Sequence, residues 1–236
     1  MKLFLLLVSF AFAINCPAKE CSSLFSYANA VIPVSDVFRS GFGHIEIPKE
    51  FHGNLSSNGV LNKALDEIID KKFDNSENWA AEFYKVRNIK NFTDEYSFMV
   101  ALEKHIRTQI QDSLGMNIDL TGVSILVANS KREMPWHTDS HEAAYVEKSI
   151  KNDSSELLND LKIKRKNPLE RGTLRVTIPL PIDEAKPTIT RSWDGTSYGI
   201  IHQAPNGFAT IFVGGITIHK SDISQDFRKL IILDYQ

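Results

Sequence analysis

A β-sandwich or jelly roll buttressed by a layer of helices is the fold this chain predicts, on two observations. Up to Gly115 the apolar residues recur at helical spacing; beyond it they fall into short continuous or alternating runs separated by Gly, Pro and Asn. A length of 236 residues, 42% hydrophobic and 24% charged, suits a globular protein whose barrel could use the whole chain as one unit. The formal charge of −2 gives no broad basic field, so the expectation is no nucleic-acid partner.

The N-terminus is different in kind. Lys2 supplies a positive start, residues 3–13 are apolar except for Ser9, and small residues stand at Ala11, Ala13 and Ala18. Such a stretch is too short to cross a bilayer and suits a secretory signal peptide over residues 1–18, the alternative being a buried N-terminal strand or helix. The protein is therefore expected to be secreted, periplasmic or in a secretory lumen, with no membrane association after signal removal. Cys16 and Cys21 could pair only if cleavage follows Ala13, and they suggest neither a disulfide framework nor a thiolate metal site.

Residues 19–118 read as a helical support region. Val60, Leu61, Ala64, Leu65, Ile68 and Ile69 predict a helix over 60–72, and Trp79, Phe83 and Val86 suggest a shorter one. Phe98, Leu102, Ile106, Ile110 and Leu114 predict a third over 94–114, capped by Thr93 and ended by Gly115.

Residues 119–236 read as the β core. Strands are expected at 123–128, at 173–180 (Leu174, Val176, Ile178 and Leu180 on one face, Arg175 and Thr177 on the other), at 208–218 and at 228–235. The polar stretch 141–171 reads as an inserted loop near a site mouth, with a helical turn or two.

The chemistry concentrates in Met134-Pro-Trp-His-Thr-Asp-Ser140. Residues two apart on a strand share a face, so His137 and Asp139 can bind one metal ion together. A second imidazole from His219, at the end of the 208–218 run, would complete a facial set of two histidines and a carboxylate. That set leaves three octahedral positions open, as non-haem Fe(II) requires for an oxo-acid and O₂. His44 and Glu46 show the same His-x-acid spacing and are expected to lie elsewhere; His141 could replace His137 if the strand is shifted. Arg228, nine residues past His219, opens a strand whose alternate residues Leu230 and Ile232 are apolar. A guanidinium there suits a buried carboxylate, since an unpaired buried arginine is costly. Its other use is a strand-start arginine reaching solvent.

The order His137-Thr-Asp139, Arg175-Val-Thr-Ile-Pro-Leu180, Gly207-Phe-Ala-Thr-Ile-Phe with His219, and Arg228-Lys-Leu-Ile-Ile-Leu-Asp234 resembles the 2-oxoglutarate/Fe(II)-dependent dioxygenase superfamily. Within it, the strands of Arg175 and Arg228 look most like the aspartyl/asparaginyl β-hydroxylase and proline cis-hydroxylase branch. The resemblance spans roughly residues 120–236. It implies a double-stranded β-helix, Fe(II) on His137, Asp139 and His219, and 2-oxoglutarate as cosubstrate, oxidised to succinate and CO₂. It places Arg228 on the distal carboxylate, with Arg175 as a second carboxylate contact or a structural salt bridge. Thr177 stands where many members of the branch have a histidine that orients the oxo-acid. Asp139 favours the proline-hydroxylase side, because aspartyl hydroxylases lack the metal-binding acid. The substrate expected is an amino acid, peptide or other small metabolite. The competing expectations are a metal-binding jelly-roll or cupin-like module without activity, and a zinc hydrolase, which would need a general base beside the metal.

Overall fold

A computed structural model describes residues 31–72, 81–86, 97–129, 136–140, 143–151, 156, 159, 173–183, 190–192, 200–202, 205–219 and 227–236. Residues 1–30, with the expected signal peptide and both cysteines, lie outside the described residues, as do Thr93 and His141.

Five helices, α1 (Val37–Ser40), α2 (Lys49–Leu55), α3 (Val60–Lys72), α4 (Phe98–Leu114) and α5 (Ala143–Lys151), accompany eight strands among the described residues. The strands are β1 (Phe42–Glu46), β2 (Ala81–Val86), β3 (Leu120–Asn129), β4 (Leu174–Leu180), β5 (Thr190–Ser192), β6 (Ile200–His202), β7 (Phe208–Val213) and β8 (Phe227–Tyr235). Six of them form one sheet in the order β1-β7-β4-β8-β3-β2, every neighbouring pair antiparallel. β5 and β6 pair separately.

Alternation divides this sheet into two faces with different tasks. Leu174, Val176, Ile178 and Leu180 of β4, Ile231, Leu233 and Tyr235 of β8 and Val123, Ile125 and Val127 of β3 join the main core with Leu61 and Leu65 of α3 and Leu102, Ile106 and Ile110 of α4. The spacing of four along α4 turns one stripe toward the sheet, and Leu102, Ile106 and Ile110 are fully buried. Gly115 ends α4 at φ 65°, its N–H bonded to Gln111 O at 2.8 Å. Only glycine takes that left-handed cap without strain. Lys229 also turns to the helix side, buried, with Nζ 2.8 Å from Asn62 Oδ1 and 2.5 Å from Asp66 Oδ1 of α3.

On the opposite face the registers line up cross-strand rows. Phe42, Phe212, Arg175, Asp234 and Gly122 form one row; His44, Thr210, Thr177, Ile232 and Ser124 form the next. A third contains Pro179, Leu230 and Leu126, and Leu126, Leu230 and Ile232 make a small apolar cluster apart from the main core.

Several expectations change. Residues 81–86 are a strand rather than a helix: β2 pairs with β3, Phe83 opposite Leu126, and cross-strand pairing overrides a weak helical spacing. The run 208–218 is not one strand, since β7 stops at Val213 and a turn follows at 214–216. Within the 141–171 insertion the expected helical turns are α5, whose Val146 is fully buried in the main core, so this part is anchored to the body. His52 lies in α2, with Nε2 2.8 Å from Ile47 O.

Candidate metal centre

Two backbone hydrogen bonds create the centre. His137 N–H donates to His219 O at 3.0 Å and His219 N–H donates to His137 O at 2.8 Å, an isolated antiparallel bridge between segments far apart in sequence. Residues directly opposite on an antiparallel pair project to the same side. The two imidazoles accordingly lie with ring centroids 4.2 Å apart. Two residues on, Asp139 N–H donates to Gly214 O at 2.8 Å and Ser140 Oγ donates to Gly215 O at 2.8 Å, fastening the His-Thr-Asp segment to the turn after β7. Gly214 is needed there: a Cβ at this position would overlap the Asp139 carboxylate.

His137, Asp139 and His219 each offer a ligand atom, all within 4.8 Å of one another. His219 Nε2 lies 3.9 Å from Asp139 Oδ1. The His219 Nδ1–H donates to Thr217 O at 2.9 Å, which leaves the Nε2 lone pair for a metal and fixes the ring. Thr217 Oγ1 in turn donates to Gly41 O at 2.8 Å, tying this approach to the start of β1. Phe212 also packs against the His219 ring, with centroids 4.8 Å apart and the planes tilted by 55°. Two imidazoles and one carboxylate, converging and separately held, fit an octahedral divalent ion better than a closed tetrahedral zinc site.

Arg175 connects this cluster to the sheet. Its Nη1 lies 2.9 Å from Asp139 Oδ1, while Nε and Nη2 donate to the two oxygens of Asp234 at 2.7 and 3.1 Å. Burial pushes the Asp139 carboxyl up to about 6, a rise that Arg175 opposes and Asp234 reinforces. Burial by itself would lower the Arg175 pKa; the Asp234 hydrogen bond and both carboxylates outweigh it and raise the value. Of the two roles expected for Arg175, the salt bridge is present in the structure, to both Asp139 and Asp234. Asp234 was visible in the sequence only as the end of a strand. Its role depends on the register Arg175↔Asp234, which no local pattern encodes.

The other expected residues fall as follows. Thr177 is half-buried in the row beside Arg175, between Thr210 and Ile232. Arg228 lies opposite Ala128, in the alternation of Leu230, Ile232 and Asp234; its side chain lies outside the described residues. Trp136 is partly buried against the main core, as packing that fixes the segment. Glu46 is exposed, and neither it nor His44 belongs to the metal cluster. His44 nonetheless lies on the site-bearing face, which its sequence context did not reveal.

No protein-family model matches the chain, and no curated protein does. Solved structures do. AviO1 from Streptomyces viridochromogenes Tue57 matches at a TM-score of 0.54 and 12% identity, over 88% of this chain and 96% of that one. A prolyl hydroxylase from Trichoplax adhaerens, in complex with a hypoxia inducible factor peptide fragment, matches at 0.51 and 12%, over 86% and 87%. The non-haem alpha-ketoglutarate-dependent epimerase SnoN of nogalamycin biosynthesis matches at 0.50 and 10%, over 86% and 81%. The fold is therefore the one shared with these structures: mainly β with α, a double-stranded β-helix buttressed by helices.

Proposed function

We propose that this chain is an Fe(II)- and 2-oxoglutarate-dependent oxygenase that hydroxylates an amino acid, peptide or small metabolite after export. The convergence of His137, Asp139 and His219 carries the reading. These side chains would hold Fe(II), for which two imidazoles and one carboxylate are a suitable donor set. When bound, the iron and 2-oxoglutarate supply the oxygen chemistry, with succinate and CO₂ as coproducts. The chain's own residues do the rest. The Thr217 carbonyl keeps His219 in its ligating tautomer, and Arg175 holds the Asp139 carboxylate in place and ionised at neutral pH. Leu126, Leu230 and Ile232 keep the neighbouring surface apolar and dry, which strengthens charge pairing beside them. Arg228 is the proposed partner of the distal carboxylate of 2-oxoglutarate, a fixed bidentate fork for a planar anion. The presence of Asp139 supports the proline-hydroxylase-like branch, and the peptide-bound prolyl hydroxylase of the same fold supports a peptide or amino-acid substrate.

Anaerobic reconstitution with Fe(II) followed by 2-oxoglutarate tests the reading without knowledge of the substrate. A weak visible charge-transfer band should appear only when both are present. Metal binding without any effect of 2-oxoglutarate would instead identify a metal-binding module.

A further inference from the structure

Asp234 is not one of the three converging ligands, yet a single side chain joins it to them. It stands directly opposite Arg175, on β8 and β4. The Arg175 Nε–H donates to Asp234 Oδ1 at 2.7 Å and the Nη2–H to Oδ2 at 3.1 Å, the two parallel bonds of a side-on pair. One such bond would let a guanidinium pivot; two in a plane fix its orientation. Held this way, Arg175 turns its remaining nitrogen, Nη1, to Asp139 Oδ1 at 2.9 Å.

The Asp139 carboxylate is bounded at both oxygens. Oδ2 lies against Gly214, where a Cβ would come within 2.2 Å of it. Oδ1 is the oxygen that Arg175 holds, and it is also the one 3.9 Å from His219 Nε2. The backbone of Asp139 is fastened separately, to Gly214 O, so the Arg175 contact removes what freedom is left, rotation of the side chain itself. Charge matters as well as direction. A guanidinium this close to a metal ligand opposes an incoming cation, and the Asp234 carboxylate offsets that repulsion. Two carboxylates against one guanidinium leave the trio net negative; without Asp234 the remaining pair would be neutral.

We infer that Asp234 is a positioning residue of the metal centre: its two bonds to Arg175 keep that guanidinium on Asp139 and offset its charge, so that the carboxylate meets a divalent cation in one orientation. The inference rests on the metal centre of the oxygenase reading and adds to it a residue from outside the ligand set. The last strand of the sheet thereby serves the centre without supplying a ligand to it. Sheet register, and not nearness along the chain, brings Asp234 there.

Asp234→Asn keeps an oxygen for the Arg175 Nε–H, sets an amide donor against Nη2 and removes the charge. Calorimetric titration should show Mn(II) binding to this variant weakened about tenfold. The visible spectrum of the Co(II)-loaded variant should differ from that of wild type, as the Asp139 carboxylate turns. In an Arg175→Met background the same substitution should change Mn(II) affinity far less, because the side chain through which it acts is gone. In wild type, where no variant has to fold, the Arg175 Nε–H resonance should stay protected from exchange and shift on addition of Zn(II). Lowered stability with unchanged Mn(II) affinity and Co(II) spectrum in Asp234→Asn marks a purely structural bridge and overturns the inference. An equal loss of Mn(II) affinity in both backgrounds, or an Arg175 resonance that bound zinc leaves unmoved, overturns it too. Each of these results leaves the oxygenase reading intact, whereas wild type that binds no divalent cation overturns both.

Discussion

Removing the Arg175 guanidinium would leave Asp139 and Asp234 facing one another without the cation between them. Breaking a buried ion pair from one side costs several kcal/mol because the remaining charge is uncompensated. A quarter of the Arg175 side chain is exposed, so solvent screening reduces the cost. Arg175→Met should therefore destabilise the metal-free protein by about 2 kcal/mol in urea. Adding Asp234→Asn should restore part of it, and simple additivity of the two in a double-mutant cycle would refute the coupling. Arg228 makes a separable prediction. If it binds the distal carboxylate, Arg228→Ala should weaken 2-oxoglutarate binding roughly 30-fold or more while Fe(II) binding stays nearly constant. Arg228→Lys should fall between, because a point charge replaces a planar fork. Equal affinity in wild type and Arg228→Ala would remove that assignment.

At the scale of elements, legibility followed the strength of the local pattern. The helices α3 and α4 and the strands β4 and β8 were readable because each repeats its apolar period several times and turns a whole face into the core. The strand β2 was misread, because its type is set by pairing with β3 and its own spacing is ambiguous. The converging trio His137, Asp139 and His219 could be named from sequence because His-Thr-Asp is local and His219 closes an apolar run. The supports of the site could not: Asp234 reaches it through sheet register, and Gly214 through the close approach of the His-Thr-Asp segment to the turn after β7. That close approach predicts that Gly214→Ala should fold yet lose at least about tenfold in metal affinity, as the new methyl displaces the Asp139 carboxylate. Val146 predicts a different outcome in α5. Val146→Ala removes two buried methyl groups from the main core and should cost about 1–3 kcal/mol in denaturant unfolding, whereas an unanchored insertion would show no change.

For the whole molecule, metal binding should act as a staple. His137 and Asp139 come from one segment and His219 from another, so an ion that binds all three favours the folded state by mass action. At a hundredfold excess over its dissociation constant the gain is about 2.7 kcal/mol, a rise of several degrees in Tm for a protein of this size. The ion needs Asp139 as a carboxylate, and burial raises that group to about 6. The metal-dependent part of the stability should therefore be fully present above that pH and fade as pH falls through it. Melting curves with and without Mn(II) from pH 5 to 8 measure this; a stabilisation independent of pH would exclude Asp139 as a ligand.

The strand β8 has a consequence for how this chain can change over generations. Lys229 on one of its faces is locked to Asn62 and Asp66 of α3, and Asp234 on the other is locked to Arg175. Inserting or deleting a single residue between these two positions would turn one of them to the wrong face, stranding either a lysine or a carboxylate away from its partner. Length variation within β8 is thus closed to the lineage, and drift there must proceed by substitution alone.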